Sequence, residues 1–260
     1  MSQIRAFIFD QDGVIVDTER DGHRVAFNRT FAEFGFNVEW GVEEYHDLLQ
    51  IGGGKERMTH YLQTKGFGVD VKAEDVPDLI QRLHLRKTDM FIDLIESRAL
   101  PLRPGIRRIM EEANELGMVL GICTTSNERA AHAVAHGLLA GIPMRFVLAG
   151  DVVRRKKPDP AIYLLALEKS GLRADQCVVF EDSHIGAVAA KAAGMHVVAT
   201  INPYTDSEDL SMADVVVNCL GEPGGPRAEV RPGGRKLTLA DGCIHARDIV
   251  ELFHDEETNP

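Results

Sequence analysis

From residue 106 onward the chain alternates between helical and strand patterning, and few folds accommodate that rhythm. Helices are predicted over 106–116, 128–136, 160–170 and 185–193. Each is followed by an apolar strand, over 118–123, 145–149, 177–181 and 196–200, and a further short strand covers 214–218. Parallel neighbours need crossovers long enough to hold a helix, so the pattern predicts an α/β core with a doubly wound, mainly parallel sheet covered on both faces. The apolar run at residues 4–9 supplies one more strand to that sheet. Between it and residue 106 the patterning is helical, over 19–36, 42–49, 55–65 and 74–95, with no convincing strand before Met118. Leu79, Ile80, Leu83, Met90, Ile92 and Leu94 give the last of these helices its apolar face. The expected organisation is a discontinuous α/β core over 1–17 and 99–260, with a small all-helical domain inserted over 18–98. Hinges are expected near 16–18 and 98–104.

Polar clusters stand at the carboxyl ends of four predicted strands, where open α/β sheets bind ligands. The first is Asp10-Gln11-Asp12-Gly13. Alternation aims both carboxylates to one side, where they can hold a divalent cation or divide nucleophilic and acid–base duties. An ordinary Asp-Gly turn after a strand is the other reading. The second is Thr124-Thr125-Ser126-Asn127, just ahead of a helix. Helix capping needs only one of these four side chains, whereas hydroxyls beside free N–H groups make an anion site. The third is Arg154-Arg155-Lys156-Lys157-Pro158, a basic run whose Lys157 is directed toward the strand ends by the extended conformation that Pro158 favours. The fourth is Glu181-Asp182-Ser183; Ser183 suits a helix cap, and the two acids suit a cation site.

A formal net charge of −11 argues against broad nucleic-acid or anionic-membrane binding, although a few cations gathered at one place still allow an anionic substrate. No apolar stretch approaches the roughly 20 residues of a membrane span. Cys123, Cys177, Cys219 and Cys243 lack zinc-ligand spacing; Cys123 and Cys177, in apolar strand-like runs, read as buried free thiols, which points to a reducing compartment. Met1 to Arg5 runs straight into the first strand, leaving no room for a signal or transit peptide. The expected location is the cytoplasm, or a plastid stroma if a transit peptide has been removed. The Gly/Pro-rich stretch over 222–235 reads as an exposed loop, with a hairpin to 236–239 as one option. A terminal helix is expected over 246–253, with a frayed acidic tail over 255–260.

Taken together, the four clusters resemble the motifs of the haloacid dehalogenase superfamily, in order and across the whole core. Asp10 to Val14 matches the first motif, Thr124 the hydroxyl motif, Lys157 the lysine motif, and Glu181-Asp182 the acidic motif. The resemblance implies a Rossmann-like core with a helical cap, and a phosphoryl-transfer reaction using Mg²⁺. Asp10 would attack phosphorus to form an aspartyl-phosphate, and Asp12 would act as general acid and base. Mg²⁺ would be held by Asp10, the Asp12 carbonyl and Asp182, with Glu181 as ligand or supporting residue. Thr124 and Lys157 would bind the transferring phosphoryl group, with Thr125, Ser126 and Asn127 beside them. The chemistry is consistent: cations stabilise charge on the equatorial phosphoryl oxygens, and Lys157 near Asp10 would keep that carboxylate ionised.

The helical insertion is similar to that of the CbbY proteins, on Asp17 to Arg24, Phe27-Asn28, Glu44-Tyr45 and above all Gly52-Gly53-Gly54-Lys55-Glu56-Arg57. Those proteins are Calvin-cycle phosphatases that convert xylulose-1,5-bisphosphate, an inhibitor of Rubisco, to xylulose 5-phosphate. A bisphosphate needs a second anion site; Gly53 and Gly54 can offer N–H groups, with Lys55 and Arg57 adding charge. A flexible glycine loop beside solvated cations is the other reading. Glu19, His23 and Tyr45 are expected to hydrogen-bond sugar hydroxyls, His23 being equally readable as a satisfied helix histidine. Lys87 resembles the cap lysine of β-phosphoglucomutases, and a surface helix lysine is its alternative. The expected protein is a monomer acting on a small-molecule sugar bisphosphate. A β-phosphoglucomutase-like mutase, a broad sugar-phosphate phosphatase and a non-catalytic metabolite binder are the competing readings.

Overall fold

Among the described residues, six strands form one sheet in the order β3-β2-β1-β4-β5-β6, with every neighbouring pair parallel. The strands are β1 (Ala6–Phe9), β2 (Val119–Cys123), β3 (Phe146–Leu148), β4 (Cys177–Glu181), β5 (His196–Thr200) and β6 (Val215–Val217). The computed structural model of the protein describes residues 3–97, 100–235, 237 and 239–254. Alternation splits each strand between two apolar layers. Phe7, Phe9, Ile122 and Phe180 face one side, where α5 (Ile106–Glu115) and α9 (Ala246–His254) contribute Ile109 and Ile249. Ala6, Ile8, Val179 and Val197 face the other, against Ile162 of α7 (Ala161–Ser170) and Ala189 of α8 (His184–Ala192). Both faces are therefore dry, as parallel sheets require. The expected doubly wound parallel fold is the one the chain adopts.

Four of the helices lie between β1 and α5: α1 (Arg24–Glu33), α2 (Val42–Leu49), α3 (Gly54–Thr64) and α4 (Val76–Glu96). They close around an aromatic core of their own, with Phe27, Phe31, Trp40, Tyr45 and Phe67 all fully buried. Helix α4 spans both cores: Leu79, Ile80 and Leu83 belong to the aromatic one, whereas Phe91 and Ile95 join the sheet-side layer. No helix among the described residues is long and apolar enough to cross a membrane.

The chain enters and leaves this helical unit at a single place. Val16 bridges Leu102, and Arg103 N donates to Ile15 O. The Arg103 guanidinium then donates to the carbonyls of Gly13, Thr200, Ile201 and Asn218, tying both linkers to the carboxyl ends of β5 and β6. Of the predicted hinge over 98–104, residues 98 and 99 lie outside the described residues.

The C-terminal edge adds a contact that was not expected. The Gly/Pro-rich stretch is largely exposed, as expected, and also lies along β6: Val230 bridges Val217, and Asn218 N donates to Glu229 O and Arg231 N to Val216 O. An edge strand carries a row of unpaired backbone groups, and the nearest extended residues satisfy them; past the Pro232-Gly233-Gly234 turn the contact resumes, with Arg235 N donating to Asp214 O. Residues 236 and 238 of the alternative hairpin, and the tail over 255–260, lie outside the described residues.

Candidate active site

The order β2-β1-β4 sets three strand ends side by side where the winding direction reverses. Asp10 follows β1, with its N–H donating to Phe180 O; Thr124 follows β2, and Glu181 and Asp182 end β4. Carboxylate oxygens of Asp10, Glu181 and Asp182 lie within 4.8 Å of one another, and all three residues are buried. Burial, against the pull of Lys157 and with Glu181 and Asp12 adding repulsion, pushes Asp10 up to about 8. Burial, Asp10 and Glu181 likewise raise Asp182 well above the usual range, against Arg103 and an Asn202 hydrogen bond of 2.6 Å. Lys157 pulls Asp10 toward the ionised form, as expected, while desolvation opposes it. A hard divalent cation among these all-oxygen donors would supply the missing charge, and Mg²⁺ fits that donor set. Gly13, at φ +81°, lets this loop close: a Cβ there would stand 2.0 Å from Asp182 Oδ2.

Lys157 bridges the acids. Its Nζ lies 2.6 Å from Asp10 Oδ1, 2.6 Å from Glu181 Oε1 and 3.2 Å from the Cys123 carbonyl. Burial works against its charge, yet Asp10 and Glu181 prevail and raise it above the ordinary lysine value. Glu181 is fully buried and accepts four hydrogen bonds, from Lys157 and Tyr163 on Oε1 and from Asp182 N and Ser183 Oγ on Oε2. A carboxylate has about four acceptor positions, so of the two options left open for Glu181 the geometry favours support over direct ligation.

Asp12 faces the other way, toward the helical unit. Thr18 Oγ1 donates to its Oδ1 at 2.5 Å, Ser126 Oγ donates to Oδ2, and His23 Nε2 stands 3.1 Å from Oδ1. Burial would raise Asp12, but His23, then Ser126 and Thr18, outweigh it and hold the carboxyl well below its usual range. Lys87 Nζ lies 2.7 Å from His23 Nδ1, so a hydrogen-bonded line runs Lys87–His23–Asp12. Of the two readings of Lys87, the surface one fails: the residue is buried, burial brings it down to about 8 against Glu19 and Asp12, and its ammonium sits over Phe27 and Phe91.

The hydroxyl cluster divides its work. Thr124 Oγ1 accepts from Ser126 N, Ser126 reaches Asp12, and Asn127 Oδ1 accepts from Arg129 N as the cap of α6 (Glu128–Ala133). Thr125 lines all three adjoining cavities. One, of about 350 Å³, holds Asp10, Asp182, Lys157 and Glu19. A second, of about 380 Å³, is lined by Gly54, Lys55, His84, Asp151 and Lys156. A narrow third, of about 60 Å³, contains Asp12, His23, Lys87 and Gly53.

On the helical side the glycine segment is partly helix: Gly53, at φ +99°, precedes α3, and Gly54 is its first residue. Lys55 is exposed and pairs with Asp151 at 3.3 Å. Arg57 is buried and donates to Leu48 O, Ile51 O and the Tyr45 hydroxyl. That hydroxyl in turn donates to Glu19 at 2.6 Å. Tyr45 is fully buried, its hydroxyl held between Arg57 and Glu19.

Sequence reasoning missed Tyr163, Thr18, Asn202, His84, Lys156 and Arg103. Burial, then Lys87, Lys55 and Lys156, lower His84 to about 4. Asn202 follows the end of β5, a position the strand-end argument could have flagged. Tyr163 reads in sequence as an ordinary apolar-face residue, with no signal to mark it.

A family model for haloacid dehalogenase-like hydrolases matches residues 4–194. A CBBY-like protein of Arabidopsis thaliana is 48% identical over 224 residues, covering 84% of this chain and 70% of the relative. A crystal structure of a mutant CbbY from Rhodobacter sphaeroides in complex with xylulose-(1,5)bisphosphate is similar at a TM-score of 0.76 and 35% identity, covering 85% of this chain and 97% of that one. A putative β-phosphoglucomutase from Thermotoga maritima is similar at a TM-score of 0.62 and 27% identity, covering 82% of this chain and 93% of that one.

Proposed function

Because the chain belongs to the haloacid dehalogenase-like hydrolase family, we propose that it is a Mg²⁺-dependent phosphatase of a sugar bisphosphate, converting xylulose-1,5-bisphosphate to xylulose 5-phosphate through an aspartyl-phosphate. The observation that carries this reading is the pairing of two unlike sites across one cleft. Buried carboxylates with Lys157 stand on the sheet side, and an adjoining cavity is lined by His84 and by Lys55 and Lys156, both paired with Asp151. The first suits a phosphoryl group undergoing transfer, and in the second an anion that displaces Asp151 gains both ammonium groups.

In this reading the segment over 18–98 caps a core formed by 1–17 and 99–260. Asp10 attacks phosphorus, while Lys157 and Thr124 bind the transferring oxygens. Asp10, Asp182 and the Asp12 carbonyl would hold Mg²⁺, which would supply positive charge to offset that of the phosphoryl oxygens. Asp12 protonates the leaving oxygen and later takes a proton from the attacking water. Held low by His23, Asp12 begins as a base, so it must first acquire a proton. The nearest source is the line through His23 from Lys87. Glu19 and His23 meet the sugar hydroxyls, and closure of the cap over the strand ends excludes bulk water.

The test is phosphate release with Mg²⁺ across ketose and aldose mono- and bisphosphates, with xylulose-1,5-bisphosphate expected to turn over fastest. No release from any member of the panel would sink the proposal. Formation of glucose 6-phosphate from β-glucose 1-phosphate and a bisphosphate primer would replace it with the mutase.

A further inference from the structure

We propose that Tyr163 is a positioning residue of this site, fixing Glu181 as the anchor of Lys157 and keeping that carboxylate out of the metal's coordination. The proposal rests on the phosphatase reading above and deepens it.

Tyr163 sits in the first turn of α7, six residues after Lys157, and its side chain is fully buried. A buried phenol needs a partner for its O–H, and here the partner is Glu181 Oε1 at 2.5 Å. The same ring lies under the ammonium of Lys157, 5.2 Å from its centroid. One side chain thus touches both members of the Lys157–Glu181 pair, and neither of those touches reaches Asp10 directly.

The consequence for Glu181 follows from counting acceptor positions. Oε1 takes Lys157 and Tyr163; Oε2 takes Asp182 N at 3.2 Å and Ser183 Oγ at 3.4 Å. All four positions are filled by protein donors. Helix α8 closes the remaining approach: a Cβ on Gly186 would stand 2.0 Å from Glu181 Oε2, so the carboxylate is packed directly against that glycine. Asp182, one residue on, has Oδ2 bonded to Asn202 and is left to serve the cation.

The consequence for Lys157 is directional. Its three N–H groups go to Asp10, Glu181 and the Cys123 carbonyl. Of these acceptors only Asp10 changes covalently in the proposed reaction, when its oxygen bonds to phosphorus and the phosphorus–leaving-oxygen bond breaks. Glu181 and Cys123 O are then what hold the ammonium in place while the charge beside it changes. Removing the Tyr163 hydroxyl leaves Oε1 with an open position and lets the Lys157–Glu181 pair shift, although the ring and its packing remain.

The experiment compares the wild-type chain, Tyr163→Phe, Glu181→Gln and the double variant by two readouts. The first is kcat and KM for phosphate release with saturating Mg²⁺. The second needs no turnover: calorimetric binding of inorganic phosphate with Mg²⁺ present. Tyr163→Phe is expected to lower kcat about 10-fold and weaken phosphate binding about 5-fold, while KM changes less than about 3-fold because the cap contacts are untouched. In the Glu181→Gln background the same substitution is expected to have almost no further effect, since the hydroxyl acts through that carboxylate. Equal losses in both backgrounds, or unchanged kcat and phosphate binding in Tyr163→Phe beside an active wild type, would overturn the positioning role alone. A wild-type chain that neither hydrolyses sugar phosphates nor binds phosphate would overturn it together with the phosphatase reading.

Discussion

The two walls of the cleft are built by different means. On the sheet side, Asp10, Thr124 and Asp182 take their places from strand register, because parallel neighbours bring their carboxyl ends together. On the helical side, His23, Lys87 and His84 take theirs from helix faces packed around aromatic rings, as in Phe91 lying 4.0 Å from His23 between ring centroids. The sheet wall gathers carboxylates close enough to repel one another, and the helical wall gathers nitrogen donors. In the proposed reaction the contrast is a division of labour: the rigid, backbone-determined wall carries bond making, and the side-chain-determined wall selects what is brought to it.

The most severe way to break the comparison is Asp10→Asn. Losing the nucleophile should lower phosphate release by at least about 10³-fold, with cap-side ligand binding retained; comparable turnover in the variant would move the chemistry elsewhere. Next is Lys87→Met, which joins the walls through His23. A fall of about 10- to 100-fold in kcat/KM is expected. The pH dependence sharpens the point. Lys87 loses its charge as pH rises through about 8, so the wild type should lose kcat/KM above that pH. In the variant that alkaline limb should vanish; a limb that persists assigns it to another group. The smallest effect concerns the sheet wall's packing. Gln11 is fully buried between the two acids, and neither polar atom of its side-chain amide has a hydrogen-bond partner. Replacing it by leucine should stabilise the chain by about 1–3 kcal/mol in denaturant unfolding, without loss of turnover. Destabilisation would show that the amide has a role of its own.

The same contrast explains what could be read from the sequence. Strands β4 and β5 fall at their expected residues and α2 at its own, because a run of apolar residues or a helical period is a local signal. The acids, Thr124 and Lys157 were legible because strand ends in such a sheet must converge. The tyrosine at 163, the line from Lys87 to Asp12 and the burial of Arg57 were not, since they depend on which helix face meets which neighbour, whether 6 residues away or 64. The surroundings of Asp10 were half legible for a related reason: proximity to a lysine can be read from motifs, whereas the depth of burial opposing it cannot. Likewise the docking of Val230 on β6 answers an open sheet edge that no local pattern announces.

The bridge between Val16 and Leu102, with Arg103 fastened to four carbonyls of the core, has an evolutionary consequence. The intervening helices form a loop with neighbouring ends, so recombination could exchange one such cassette for another without threading the sheet or disturbing its carboxylates. An incoming cassette would have to meet two conditions: a pair of apolar side chains to replace Phe91 and Ile95 in the layer they share with the sheet, and partners for Asp12 in place of His23 and Lys87. Lineages can thus diversify what enters the cleft while inheriting one reaction unchanged.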